Sequence, residues 1–113
     1  MKNLFILLIL SVSILNFSLV NAKHPGESIF LTAKGKFGSC NTCHSYGGSA
    51  GRYDPVTGEI SQDEGKKIPS LIGIGKRKDS EQIKRAIQSM KKQFGFKLSE
   101  KEIDELTDYV TTL

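Results

Sequence analysis

Cys40-Asn41-Thr42-Cys43-His44 decides how the rest of this chain is read. Two thiols three positions apart share one face of a helical turn, so both can reach the edge of one flat partner. The next residue projects an imidazole toward the same partner. C-x-x-C-H at this spacing is the attachment pattern of c-type haem, with two thioether bonds to the porphyrin and a histidine nitrogen on the iron. Cys40 and Cys43 are the expected covalent anchors, and His44 the expected proximal ligand, of one haem c.

Other uses of a C-x-x-C pair ask for surroundings that are missing here. A dithiol redox site needs a βαβ context, and the sequence has no such alternation. A zinc site needs further ligands, but outside the motif there is one more histidine, His24, and no cysteine. A plain structural disulfide is compatible with an exported chain. The adjoining histidine favours haem.

The chain has 113 residues, which is one domain at most. Its start reads differently from the rest. Lys2 supplies a positive charge, and Leu4 to Val20 is apolar apart from Ser11, Ser13, Asn16 and Ser18. Val20-Asn21-Ala22 then offers a small-residue cleavage site. Residues 1–22 are expected to be a secretory signal cut after Ala22, leaving an exported, periplasmic domain over residues 23–113. An uncleaved anchor facing the periplasm is the alternative, because the run approaches the ~17–25 residues that span a bilayer.

Without Lys2 the chain carries 15 basic and 12 acidic residues, a balance too even for a nucleic-acid partner. Only Phe30, Phe37, Phe94 and Phe96 represent phenylalanine after residue 22. A domain this small buries a marginal core, so the cofactor is expected to fill its centre.

Hydrophobic spacing predicts a mostly helical domain. One helix is expected over Glu27–Lys34 and a short one over Cys40–His44. Another is expected over Ser80–Met90, capped by Ser80, with Ile83, Ala86, Ile87 and Met90 on one face. Ser99 and Glu102 form a capping box for a C-terminal helix whose face carries Ile103, Leu106, Tyr109 and Val110. The glycine-rich stretch 45–68 predicts a long irregular loop without a sustained strand pattern. Within it, Asp54-Pro55-Val56-Thr57-Gly58 reads as a turn or small hairpin. Asp54, Glu59, Asp63 and Glu64 match no calcium-loop spacing and read as solvated surface.

Further segments agree with the haem motif: Gly26-x-x-x-Phe30, Pro69-Ser70-Leu71-Ile72-Gly73, Met90, and Leu98-Ser99-x-x-Glu102-Ile103-x-x-Leu106-x-x-Tyr109-Val110. Together they make nearly all of residues 23–113 resemble the class I cytochrome c family, in its small single-haem bacterial form. The resemblance implies an all-α fold, a few helices wrapped around one covalently bound haem. The first and last helices would cross beside it at Gly26, with Phe30 and Tyr109 packed there. It implies that the Pro69 carbonyl accepts a hydrogen bond from the His44 imidazole and that Leu71 also helps to bind the cofactor. A methionine sulfur would hold the far side of the iron. Met90 is the only methionine after residue 22 and so the expected distal ligand. Here the chain departs from the family pattern: Lys91 replaces the usual following proline, and Met90 continues a helix face instead of sitting on a separate loop. His24, Lys91 and Lys92 are the substitute donors.

The implied function is one-electron transfer, by a free carrier or by the haem subunit of a larger oxidoreductase. No catalytic triad, phosphate loop or acid–base pair argues for an enzyme. The alternative is an open or labile sixth position that binds a diatomic gas or supports peroxidase-like chemistry. Partners are expected to be redox proteins. They would be acidic if Lys34, Lys36, Lys66, Lys67, Lys91 and Lys92 ring the haem edge.

Overall fold

The computed structural model describes residues 24–113; the expected signal segment and its cleavage site lie outside them. The first helix, α1, spans Pro25–Thr32. It starts two residues earlier than spacing predicts, for a local reason. Proline needs no N–H partner in a first turn, and the His24 ring accepts from the Gly26 N–H at 3.1 Å. Helix α2, Cys40–Cys43, is one turn long, and its entry is held by the Ser39 N–H on the Thr42 hydroxyl at 3.0 Å. A 3₁₀ turn over Ser45–Gly47 follows directly.

The stretch expected to be irregular contains a three-stranded antiparallel sheet. Its strands β1 (Arg52–Tyr53), β2 (Ile60–Ser61) and β3 (Lys66–Lys67) are ordered β2-β1-β3. Tyr53 stands opposite Ile60 on one side and Lys66 on the other. The predicted turn is the hairpin tip, where the Asp54 carboxylate accepts from the N–H groups of Val56 (2.7 Å) and Thr57 (3.0 Å). At the base of the sheet the chain meets itself, with the Ile68 N–H on the Gly51 carbonyl at 2.9 Å and the Ser49 hydroxyl on the Ile68 carbonyl at 2.5 Å.

Helix α3, Ile74–Arg77, is a single turn that starts after Gly73, which has φ +74°. The long helix α4, Ser80–Phe94, is capped by Asp79 and not by Ser80. Asp79 accepts from the Gln82 N–H at 2.8 Å, and the Gln82 side chain accepts from the Asp79 N–H at 3.0 Å. It also runs four residues past Met90, ending at Gly95 in the left-handed region. Helix α5, Glu100–Thr111, opens on the expected Ser99–Glu102 box.

Helix α5 packs against both α1 and α4. The buried cluster comprises Ile29 and Phe30 from α1, Ile83 from α4, Leu98, and Ile103, Leu106 and Val110 from α5. Phe30 meets the Tyr109 ring at 5.6 Å, and Lys84 on α4 pairs with Asp104 on α5 at 2.8 Å. The closest approach is at Gly26. A Cβ there would collide with the Glu105 carbonyl oxygen and come within 2.5 Å of the Tyr109 Cβ. Only glycine lets α1 and α5 cross at this distance.

Replacing Gly26 by alanine should therefore lower stability by roughly 1–3 kcal/mol, the usual cost of overpacking. Gly95→Asn is the control. Nothing lies within 4 Å of a Cβ at Gly95, and asparagine tolerates its positive φ of 69°. Chemical denaturation should separate the two variants. Equal stability at Gly26 would contradict the tight crossing.

Acid should act on the hairpin tip. Its two N–H donors, Thr57 first and Val56 second, hold the Asp54 carboxyl below the usual carboxylate range. A lowered folded value means the ionised group favours the hairpin above its unfolded pKa, about 3.9. That contribution disappears as pH falls through the folded value. The Val56 and Thr57 amide resonances should shift toward unfolded positions below about pH 4. In Asp54→Ala the same shift should already be present at pH 7, and amides insensitive to both changes would disprove this account.

Candidate functional site

The one-turn α2 brings Cys40, Cys43 and His44 to one wall. The His44 N–H bonds back to the Cys40 carbonyl at 2.9 Å, so the imidazole leaves the chain as the turn ends. The His44 Nδ1 lies 3.0 Å from the Pro69 carbonyl oxygen, a contact across 25 positions of sequence. A carbonyl can only accept, so Nδ1 carries the proton and Nε2 keeps its lone pair. Burial pushes the His44 pKa down, mainly by desolvation, which also favours the neutral ring. A neutral imidazole with one nitrogen tied to a carbonyl is the form that ligates a metal.

Two adjoining cavities share Cys40, His44 and Met90 as lining residues. The larger, about 530 Å³, is walled by Phe30, Leu71, Ile74, Ile83 and Ile87 with Leu98, Leu106 and Val110. The smaller, about 400 Å³, adds Cys43, Phe37, Phe94 and Phe96. Linings of this kind suit a largely apolar cofactor. The donor set fits haem: two thiols, one oriented imidazole and one thioether, all on apolar walls.

The thiols argue against rival chemistry. Desolvation pushes the Cys40 pKa up to about 11 and raises that of Cys43 as well. A dithiol redox centre needs the opposite, a stabilised thiolate. Among the described residues, no cluster of three or more His, Cys, Asp or Glu side chains could hold a metal ion.

Met90 sits inside α4, 37% exposed, and lines both cavities. Its helical setting follows from the four extra residues of α4. His24 lines neither cavity. It is occupied at the start of α1, capping Gly26 and resting 5.6 Å from the Tyr109 ring. Lys91 and Lys92 also line neither cavity. Leu71 lies on the larger one beside Ile74.

The aromatic wall is the part of the site that pattern reading missed. Phe37, Tyr53 and Phe94 form a triangle of ring contacts at 5.8–6.4 Å, which ties the small sheet to the rim of the smaller cavity. The Lys36 N–H on the Phe94 carbonyl at 2.6 Å closes the same corner. Two cues were present in sequence: Phe37 stands three residues before Cys40, and Phe94-Gly95-Phe96 spans the end of the Met90 helix. Neither carries a periodicity that would assign it to a cavity.

Comparison with known proteins agrees with this geometry. The family model described as Cytochrome c matches residues 24–113. No curated protein and no solved structure matches the chain at a significant level.

Removing Tyr53 from the triangle should loosen the sheet without disturbing the helices. For Tyr53→Ala, hydrogen exchange over residues 52–67 should accelerate by about tenfold, the factor for roughly 1.4 kcal/mol. Protection in α5 should be retained. Unchanged exchange in the sheet would show that the aromatic contacts do not anchor it.

Proposed function

Because the chain belongs to the cytochrome c family of haem electron-transfer proteins, we propose that it is an exported carrier of single electrons built around one haem c. It works free or as the haem subunit of a larger oxidoreductase. The observation that carries this reading is the His44 ring, fixed by the Pro69 carbonyl on the wall of an apolar cavity that also holds Cys40, Cys43 and Met90.

In this reading Cys40 and Cys43 hold the haem covalently, and His44 Nε2 is the proximal donor. Haem supplies a reversible one-electron iron couple, and the chain's residues set its terms. Pro69 holds the proton on Nδ1, which fixes the orientation of the ring and raises its basicity as a donor. Leu71, Ile74 and Ile83 exclude water from the larger cavity. Met90 presents a thioether from α4, a donor that favours the reduced state relative to a second imidazole. Two protein donors leave little to rearrange when charge changes, which suits electron transfer.

Export rests on the charge, apolar run and small-residue site within residues 1–22. Among the described residues no helix is long and apolar enough to cross a membrane.

The first measurement is an optical spectrum of the purified protein, oxidised and reduced, with and without carbon monoxide. A low-spin spectrum with a weak far-red sulfur-to-iron band, unmoved by carbon monoxide, is expected, and Met90→Ala should abolish that band. Ready uptake of carbon monoxide by the wild type would overturn the carrier reading in favour of gas binding or peroxidase-like chemistry. That second reading draws on the placement of Met90 within a helix and the Lys91 that follows it. A separate check addresses attachment. The wild-type chain should keep its haem through a denaturing gel, and Cys40→Ala/Cys43→Ala should lose it.

A further inference from the structure

Tyr46 is 89% exposed, the most exposed large apolar residue among those described. It also holds φ +52° and ψ +35°, a left-handed conformation unusual for a bulky side chain. The surroundings enforce it: the Asn41 side chain accepts from the Tyr46 N–H at 2.9 Å, and the Gly47 N–H bonds the His44 carbonyl at 2.9 Å. A strained backbone normally persists where packing repays it, but this ring is not packed. Residues held in such a state often serve a function.

Apolar neighbours gather at the same place. A Cβ on Gly47 would lie 3.1 Å from the Leu113 side chain and 3.3 Å from that of Ile72. The Leu71 N–H bonds the Gly47 carbonyl at 2.7 Å, and the Gly73 N–H bonds the Leu113 carbonyl at 3.0 Å, so the segments are stitched together. Ile72 is 54% exposed. Lys76, Arg77 and Lys78, all exposed, follow Ile72 closely in the chain, and the Arg77 guanidinium donates to the Ile72 carbonyl at 2.9 Å. None of the three makes a salt bridge among the described residues. An apolar centre with an unpaired basic rim complements an acidic protein surface. The centre is two residues from His44 along the chain, so a protein seated there has a short covalent route to the proximal imidazole.

Resting on the carrier reading, we propose that the Tyr46–Ile72–Leu113 face, with its Lys76–Arg77–Lys78 rim, docks an acidic redox protein. This face is distinct from the rim of the smaller cavity, where Lys36 lies over the Phe37 ring.

The test uses the haem-loaded protein and an acidic plastocyanin as probe, with a neutral hydroquinone as the small reductant. Tyr46→Asn removes the ring but keeps a residue that accepts positive φ, so the backbone is preserved. Its second-order rate with plastocyanin should fall about fivefold or more. For Lys76→Glu/Lys78→Glu the fall at low ionic strength should reach about tenfold and shrink as salt is added. Spectrum, potential and hydroquinone rate should match the wild type. The proposal is overturned if plastocyanin rates hold in these variants and drop instead in Lys36→Glu/Lys91→Glu. It is also overturned if the wild type is a dimer that Tyr46→Asn dissociates, since the face would then bind a second copy. A wild type that takes up carbon monoxide and exchanges electrons with neither reagent removes the carrier reading, and the docking face with it.

Discussion

Apolar side chains on three helices point at a space as much as at one another. Helices α1, α4 and α5 meet through a small cluster centred on Phe30, Ile83 and Ile103. Helices α4 and α5 then turn Ile87, Met90, Leu106 and Val110 toward the larger cavity. So small a set of buried groups leaves little margin over the conformational entropy of the chain. A covalently held haem supplies apolar surface that cannot diffuse away, so its attachment and the stability of the domain are coupled. The glycine crossing at Gly26 belongs to the same economy of space: it brings α1 close enough to α5 for Phe30 to sit between the two helices and the cavity.

The two sides of that cavity are held in different ways. On one side the imidazole is fixed by a single carbonyl from a distant segment, and its burial pushes its pKa down. On the other side Met90 is carried by a helix with a reciprocal cap at its start and a left-handed glycine at its end. Its helix is further tied down by buried Ile83 and by the Lys84–Asp104 pair. A side chain on such an element moves only with the whole helix. A loop-borne side chain would have more freedom.

Legibility from sequence followed the range of the interactions. The haem motif and the Ser99–Glu102 cap are local, within five residues, and could be read directly. The faces of α4 and α5 were visible because their apolar spacing repeats. Asp79 was passed over because Ser80 beside it is also a favoured capping residue; the deciding contact is the Gln82 side chain reaching back. The sheet left no alternating pattern because each strand has only two residues and exists by virtue of its pairing with the next. The Phe37–Tyr53–Phe94 triangle joins three distant segments, and nothing local marks those rings as neighbours.

The base of the small sheet has a consequence for how such a domain diversifies. Gly51 and Ile68 are already hydrogen-bonded to each other, so the intervening chain leaves and returns at one point. Lengthening a loop whose ends are fixed costs little, about 0.6 kcal/mol for each doubling. The segment can therefore be exchanged for longer or shorter inserts while the helices and the haem wall keep their geometry, provided that an aromatic remains to meet Phe37 and Phe94. That makes it a natural grafting site, where new recognition sequences can be borne by an unchanged redox centre.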